Sequence, residues 1–286
     1  MKELTTQQPV VVGIDGSRAA IRAALWAVDE AVSRDVPLHL LCAIEHDDNQ
    51  ETEPDDAVRK LAVAEMAVRH AITAIEAAGK PVKIETEVTY RPAIASLIRA
   101  SASAAMVCVG AVGLRHFRPG RLGSTAAALA LSARCPVAII RARDHHLHRP
   151  ADGMVVEVGV SPDNGVLLGA AIEEAGLRNS AVQAIVCRRT APETNGAADA
   201  EGDRRALADL DRRLAGWKRR HPDLRVESVA VHGSLLEYLA YQRRSVRLVI
   251  VGAHDHNHVS ELVGPAGSAI LQDADCSLLI VNQRHL

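Results

Sequence analysis

The chain has 286 residues, 48% of them hydrophobic, 24% charged and only 2% aromatic, with a formal net charge of −2. That length supports two domains of ordinary size, each with its own core, and the near-neutral balance gives no general attraction to nucleic acid or anionic membrane. No stretch approaches the roughly 18–20 unbroken apolar residues of a membrane-spanning helix, and the polar start from Met1 to Gln8 is unlike a signal peptide, so a cytoplasmic location is expected.

Taken in chain order, Val10 to Asp15 reads as a strand, Arg18 to Ser33 as an Ala-rich helix and Leu38 to Ile44 as a second apolar strand. A long, charged, periodic segment from Asp55 to Ala78 reads as a helix, then Val82 to Val88 as a strand and the stretch from Pro92 as a short helix. Met106 to Gly110 and Val137 to Arg141 complete five strands. The same order then recurs: Val155 to Val160, Gly165 to Gly176, Ala181 to Cys187, Ala200 to Arg220, Leu224 to Val231, a short helix from Gly233, Leu248 to Gly252 and Leu278 to Val281. Cys135 and Cys276 precede the two last strands.

Strands alternating with helices call for parallel sheets covered on both faces, and continuous apolar strands agree with that burial. Right-handed crossovers make each sheet doubly wound, with its ligand crevice at the carboxyl ends of the strands where the winding reverses. Two α/β domains are therefore expected, at residues 1–144 and 154–286, joined by a His-rich linker at 145–153. The five cysteines, at 42, 108, 135, 187 and 276, form no CxxC pair and read as buried free thiols of a reducing compartment.

The strongest chemical signal follows the fourth strand: Gly110, two residues, Gly113, nine residues, then Gly123-Ser124-Thr125 at the start of a helix. Glycines let backbone N–H groups approach phosphate oxygens, and a helix start presents free N–H groups and a favourable dipole. Ser124 and Thr125 supply hydroxyls, and Arg115, Arg118 and Arg121 add positive charge suited to a polyphosphate. The first strand ends Gly13-Ile14-Asp15-Gly16-Ser17, which brings a carboxylate to the same crevice. A GxxxxGK[ST] loop and a GxGxxG turn after the first strand are both missing, so a P-loop NTPase and a classical Rossmann domain are excluded on their motifs.

The Gly-x2-Gly-x9-Gly-Ser pattern, with Asp15 ending the first strand and the Cys135-Pro136 step before the fifth, resembles the ATP-binding class of universal stress proteins. The resemblance covers residues 9 to about 142, and its fold extends through the second half as a tandem repeat. It implies two doubly wound five-stranded parallel domains of flavodoxin-like or adenine nucleotide alpha hydrolase-like type, with strand order 3-2-1-4-5. It implies ATP with Mg²⁺ bridging the phosphate oxygens. Gly13, Ile14, Asp15, Gly16 and Ser17 would then lie beside the nucleotide, and Ala43 would meet the adenine. Val109 and Gly110 would border the ribose, while Gly113, Gly123, Ser124 and Thr125 hold the phosphates with Arg115 nearby. The family's edge fifth strands pair antiparallel between domains, which implies a homodimer or an intramolecular pseudo-dimer.

The second half departs from the pattern. Pairing Gly159 with Gly13 puts Ser161 where Asp15 stands, with Pro162 and Asp163 in place of Gly16 and Ser17. After Gly252 the second glycine is replaced by Asp255. Aligning Cys276 with Cys135 sets Gly264-Pro265 against Gly123-Ser124, whereas sliding to Gly267-Ser268 restores the Gly-Ser pair with a longer spacer. Proline removes a donor, and Asp255 and Glu261 add negative charge, so this half is expected not to bind ATP well. His254, His256 and His258 alternate, which on an extended strand would place them on one side as for a metal; a solvated loop is the preferred reading. Three functions stay open: a nucleotide-dependent regulatory module in stress adaptation or growth control, which is preferred, a slow ATPase or phosphotransferase, and a scaffold with structural nucleotide. No catalytic residue is assigned, because Asp15 and His116 are the only titratable candidates near the loop.

Overall fold

The structure, a computed structural model, describes residues 7–44, 54–114, 120–141, 153–159, 164–188, 196–242, 245–254 and 256–282. The chain divides into two compact units between its fifth and sixth strands. The expected linker falls almost wholly outside the described residues. In the first unit β1 (Val10–Ile14), α1 (Arg18–Arg34), β2 (Leu38–Ala43), α2 (Pro54–Ala77), β3 (Ile84–Thr89), α3 (Ala93–Ala100), β4 (Met106–Gly110), α4 (Ser124–Ser132) and β5 (Val137–Ile140) follow one another. The strand order is β3-β2-β1-β4-β5 with every neighbouring pair parallel, as expected.

The local chemistry explains these elements. Val10, Val11, Val12, Leu38, Leu40, Met106, Val107 and Cys108 are all buried, because helices cover both faces of the sheet. Ser17 caps α1 by accepting from the Ala20 N–H at 3.1 Å, and Ala20, Ala23, Ala24, Ala27, Val28 and Ala31 form its buried stripe. The helix stops at Asp35, which takes the left-handed conformation at φ 52° and returns its N–H to the last turn. The alanines let α1 lie very close to β4, and α3 packs on β1 and β2 from the other face.

The second unit contains β6 (Gly153–Glu157), α5 (Asn164–Arg178), β7 (Val182–Arg188), α6 (Gly196–Arg220), β8 (Val226–His232), α7 (Leu235–Tyr241), β9 (Val246–Gly252), α8 (His256–Val263), α9 (Pro265–Asp273) and β10 (Ser277–Val281). Its sheet repeats the order, β8-β7-β6-β9-β10, again all parallel. Helix α8 was not expected from the sequence, and β6 begins two residues earlier than the apolar run Val155 to Val160 indicates.

That offset changes the correspondence between the halves. Val10 pairs with Leu38 in the first sheet, and Met154 pairs with Val182 in the second. Each following helix carries a buried glutamate paired one turn on with an arginine, Glu30–Arg34 at 3.1 Å and Glu174–Arg178 at 2.9 Å. Each is then ended by a left-handed residue, Asp35 at φ 52° and Asn179 at φ 47°. Glu157 is therefore the counterpart of Gly13, and Gly159 the counterpart of Asp15. The pairing of Gly159 with Gly13, and of Ser161 with Asp15, is corrected accordingly: Val158 prolongs the apolar run past the end of the strand, so apolarity alone misplaces the register. All five cysteines are free; four are buried and Cys187 is half-buried.

Candidate functional site

In the first unit the winding reverses between β1 and β4, so the segments after these strands border one crevice. Asp15 is exposed at its mouth. One carboxylate oxygen, Oδ1, accepts from the Ser17 N–H at 2.8 Å, and the other, Oδ2, from the Leu114 N–H at 3.1 Å. Gly16, at φ +83°, makes the turn that brings the Ser17 amide back to Asp15. The Ser17 hydroxyl is engaged as the cap of α1, so only its backbone is tied to the aspartate. The side chain of Ile14 is buried, and its backbone is what the strand end can offer a ligand.

The loop after β4 returns on itself. Ala111 donates its N–H to the Ile140 carbonyl at 2.8 Å and accepts on its own carbonyl from the Gly123 N–H at 2.9 Å. Gly123 is the N-cap of α4 with no side-chain cap, and the first helical bond runs from the Ala127 N–H to the Gly123 carbonyl at 3.0 Å. The N–H groups of Ser124, Thr125 and Ala126 thus stand ahead of the helix ladder and form an anion-attracting end. Ser124 and Arg121 are exposed and Thr125 half-buried. Arg115, with His116 and Arg118, lies outside the described residues.

The glycines fall into different roles. A Cβ at Gly113 would sit 2.6 Å from Asp15 Oδ2, so this glycine makes room for the carboxylate. One at Gly110 would meet the Ala19 backbone at 2.7 Å, so Gly110 serves the packing of α1 on β4. One at Gly13 would press at 3.1 Å on Leu97 and Val109, both buried. Ala43 ends β2 opposite Thr89. Its neighbour Cys42 stands level with Ile14, the last residue of β1, which brings β2's end to the same crevice. The Cys42 thiol is pushed up to about 11, first by burial and then by the Asp15 charge. Leu114 was missed by sequence reasoning, and no side-chain signal could have found it, since its contribution is a backbone N–H.

Residues 7–141 and 154–282 each match the model of the universal stress protein family. The chain belongs to that family. It is 57% identical over 277 residues to Universal stress protein Rv2028c of Mycobacterium tuberculosis, covering 97% of both chains. It is 40% identical over 280 residues to Universal stress protein Rv2624c of the same organism, again covering 97% of each. In fold it is similar to a universal stress protein from Archaeoglobus fulgidus, with a TM-score of 0.67, 14% identity and 96% of each chain covered.

The second universal stress domain rebuilds the same region. Gly264 caps α9 as Gly123 caps α4, and Pro265 takes the first helical position where the first domain has Ser124, so one donor and one hydroxyl are lost. The alternative pair Gly267-Ser268 lies inside α9: Ser268 is buried and donates its hydroxyl to the Val263 carbonyl at 2.8 Å. Where the first domain has Gly13 the second has Glu157, whose carboxylate lies 2.6 Å from Nε2 of His258 on α8. Cys187, the counterpart of Ala43, has its thiol pushed upward by burial, then by the charge of Glu157, its hydrogen bond to that carboxylate, and Glu237. His256 and His258 lie on a helix, where alternate residues point apart, so the extended-strand premise for a shared metal face does not hold. Among the described residues no group of three or more His, Cys, Asp or Glu is placed to hold a metal ion, and no helix is long and apolar enough to cross a membrane. Asp255 lies outside the described residues.

Proposed function

We propose that the protein is a nucleotide-dependent regulatory module of stress adaptation that binds ATP in its first domain alone. The observation that carries this reading is the start of α4, whose three leading N–H groups stand where Gly123 is tied to Ala111 after β4, beside an aspartate-held turn. Backbone amides at a helix start suit phosphate oxygens in the absence of a lysine-bearing P-loop. Gly123 keeps the approach open, since no Cβ stands between the loop and the first turn of α4. Both oxygens of Asp15 already accept backbone hydrogen bonds, so Mg²⁺ would be held by the phosphate oxygens rather than by this carboxylate. The second domain lacks the serine and carries Glu157 and His258 across the equivalent position, which opposes an anionic ligand.

The test is isothermal calorimetry with ATP and Mg²⁺ on the full chain. A stoichiometry near one per chain is expected, and weaker binding in Ser124→Ala and Gly123→Val. Two equivalent sites, or none, would refute the reading. Light scattering of the same samples, with and without ATP, distinguishes a homodimer from a single chain whose domains act as an intramolecular pseudo-dimer.

A further inference from the structure

We propose that Asp15 is a positioning residue for the phosphate-holding loop rather than a contact of the nucleoside; this rests on the ATP reading above. The carboxylate spans the two segments that border the crevice. Oδ1 accepts from Ser17 in the turn after β1, and Oδ2 from Leu114 in the loop after β4, at 2.8 and 3.1 Å. The surrounding residues are shaped to permit that span. Gly16 at φ +83° closes the turn under Oδ1, and Gly113 leaves the space that Oδ2 fills, at 2.6 Å from where its Cβ would be. The Leu114 side chain lies over the turn, with Cδ1 3.7 Å from a Cβ built on Gly16. Among the described residues, the Leu114 amide is the point at which this loop is fastened to β1 by a side chain. Releasing it would free the backbone at Gly113 and Leu114, while Ala111 keeps its bonds to Ile140 and Gly123 and the strand ends, which would meet base and sugar, stay in the sheet.

A carboxylate that orders the phosphate loop affects ligands with phosphates. One that touches the nucleoside affects every adenine ligand alike. In Asp15→Asn the local bond from the Ser17 N–H can be kept by the amide oxygen, but the NH₂ then faces the Leu114 N–H and the tether is lost. Hydrogen bonds to charged groups contribute enough that ATP affinity is expected to fall about tenfold or more, with adenosine affinity changed less than about twofold. The experiment measures Kd for ATP and for adenosine by calorimetry on the full-length parent and Asp15→Asn, and Leu114 amide exchange by NMR on both. Faster Leu114 exchange together with selective loss of ATP supports the proposal. Because both ligands are measured on one sample, a reduced folded fraction lowers both stoichiometries and does not imitate a selective change in one Kd. Equal losses of ATP and adenosine would overturn the positioning role, as would unchanged Leu114 exchange. A parent that binds neither ligand would instead overturn the nucleotide reading itself.

Discussion

A Cβ at Gly110 would fall 2.7 Å from the Ala19 backbone carbon and 2.8 Å from the Ala20 nitrogen, atoms that cannot step aside without moving α1. Gly110→Ala is therefore expected to destabilise the first domain by about 1–3 kcal/mol through overpacking, read as a lower urea midpoint at unchanged slope. Gly123 is the contrasting case. Its Cβ would meet nothing nearer than 3.6 Å and its backbone is extended, so Gly123→Ala should cost no more than about 1 kcal/mol, the loss of a glycine N-cap. If ATP binding nonetheless falls, the missing Cβ serves the ligand and not the fold; unchanged binding would remove Gly123 from the site. Cys42 gives a pH signature at the same scale. Its thiol is raised from 9.0 to about 11, chiefly by burial and further by Asp15, so the folded state disfavours the thiolate that the unfolded chain forms readily. The associated stability is fully present below about pH 9 and is lost as pH rises through about 11. Urea midpoints of Cys42→Ala measured from pH 7 to 11 should fall less steeply than those of the parent.

Helix α8 fits tightly on α9 because Gly267 has no side chain: a Cβ there would lie 2.4 Å from the carbonyl oxygens of both Glu261 and Leu262. Gly267→Ala should push α8 away, expose Val259 and the fully buried Leu262, and lower the stability of the second domain by several kcal/mol, on the order of a large-to-small core change. Protease sensitivity confined to residues near 254–264 would locate the effect, and an unaltered urea midpoint would contradict the packing argument. The strands, their parallel pairing and α1 to α7 follow from apolar runs, helical periodicity and turn residues that a sequence displays directly. Helix α8 does not, because His256, Asn257, His258 and Ser260 are weak helix formers in a polar stretch, and what holds them is tertiary packing through Val259 and Leu262. The register of β6 was legible in principle. The repeated glutamate–arginine pairs, Glu30–Arg34 and Glu174–Arg178, stand at matching distances from Gly13 and Glu157, a firmer ruler than the apolar run. In the site, the glycine spacing and Asp15 pointed to the segments after β1 and β4, but the partners of Asp15 are the amides of Ser17 and Leu114, and backbone donors leave no trace in residue identity.

At the scale of the whole chain the two domains share a strand order and differ in what stands at the carboxyl ends of their strands. In the first, β1 carries a glycine one residue before its end and is followed by an aspartate whose oxygens accept from backbone amides, and α4 starts with amides that stand ahead of its ladder. In the second, the carboxylate of the glutamate at Gly13's place lies 2.6 Å from Nε2 of His258 on α8, and a proline opens α9. A ligand that binds only the folded state stabilises by RT ln(1 + [L]/Kd), about 2.7 kcal/mol at a hundredfold excess over Kd, and only in the unit that binds it unless the units unfold together. Hydrogen exchange followed by mass spectrometry reads the two separately within the intact chain. Saturating ATP and Mg²⁺ are expected to slow exchange in β1, in β4 and at the start of α4, while the amides of β6, β9 and α9 keep their rates. The double variant Glu157→Gly with Pro265→Ser, which returns first-domain residues to the second crevice, tests why that half stays silent. New protection in β6 and α9 of that variant would show that Glu157 and the proline exclude the nucleotide. Protection of β6 and α9 by ATP in the parent chain would refute the asymmetry of the two domains.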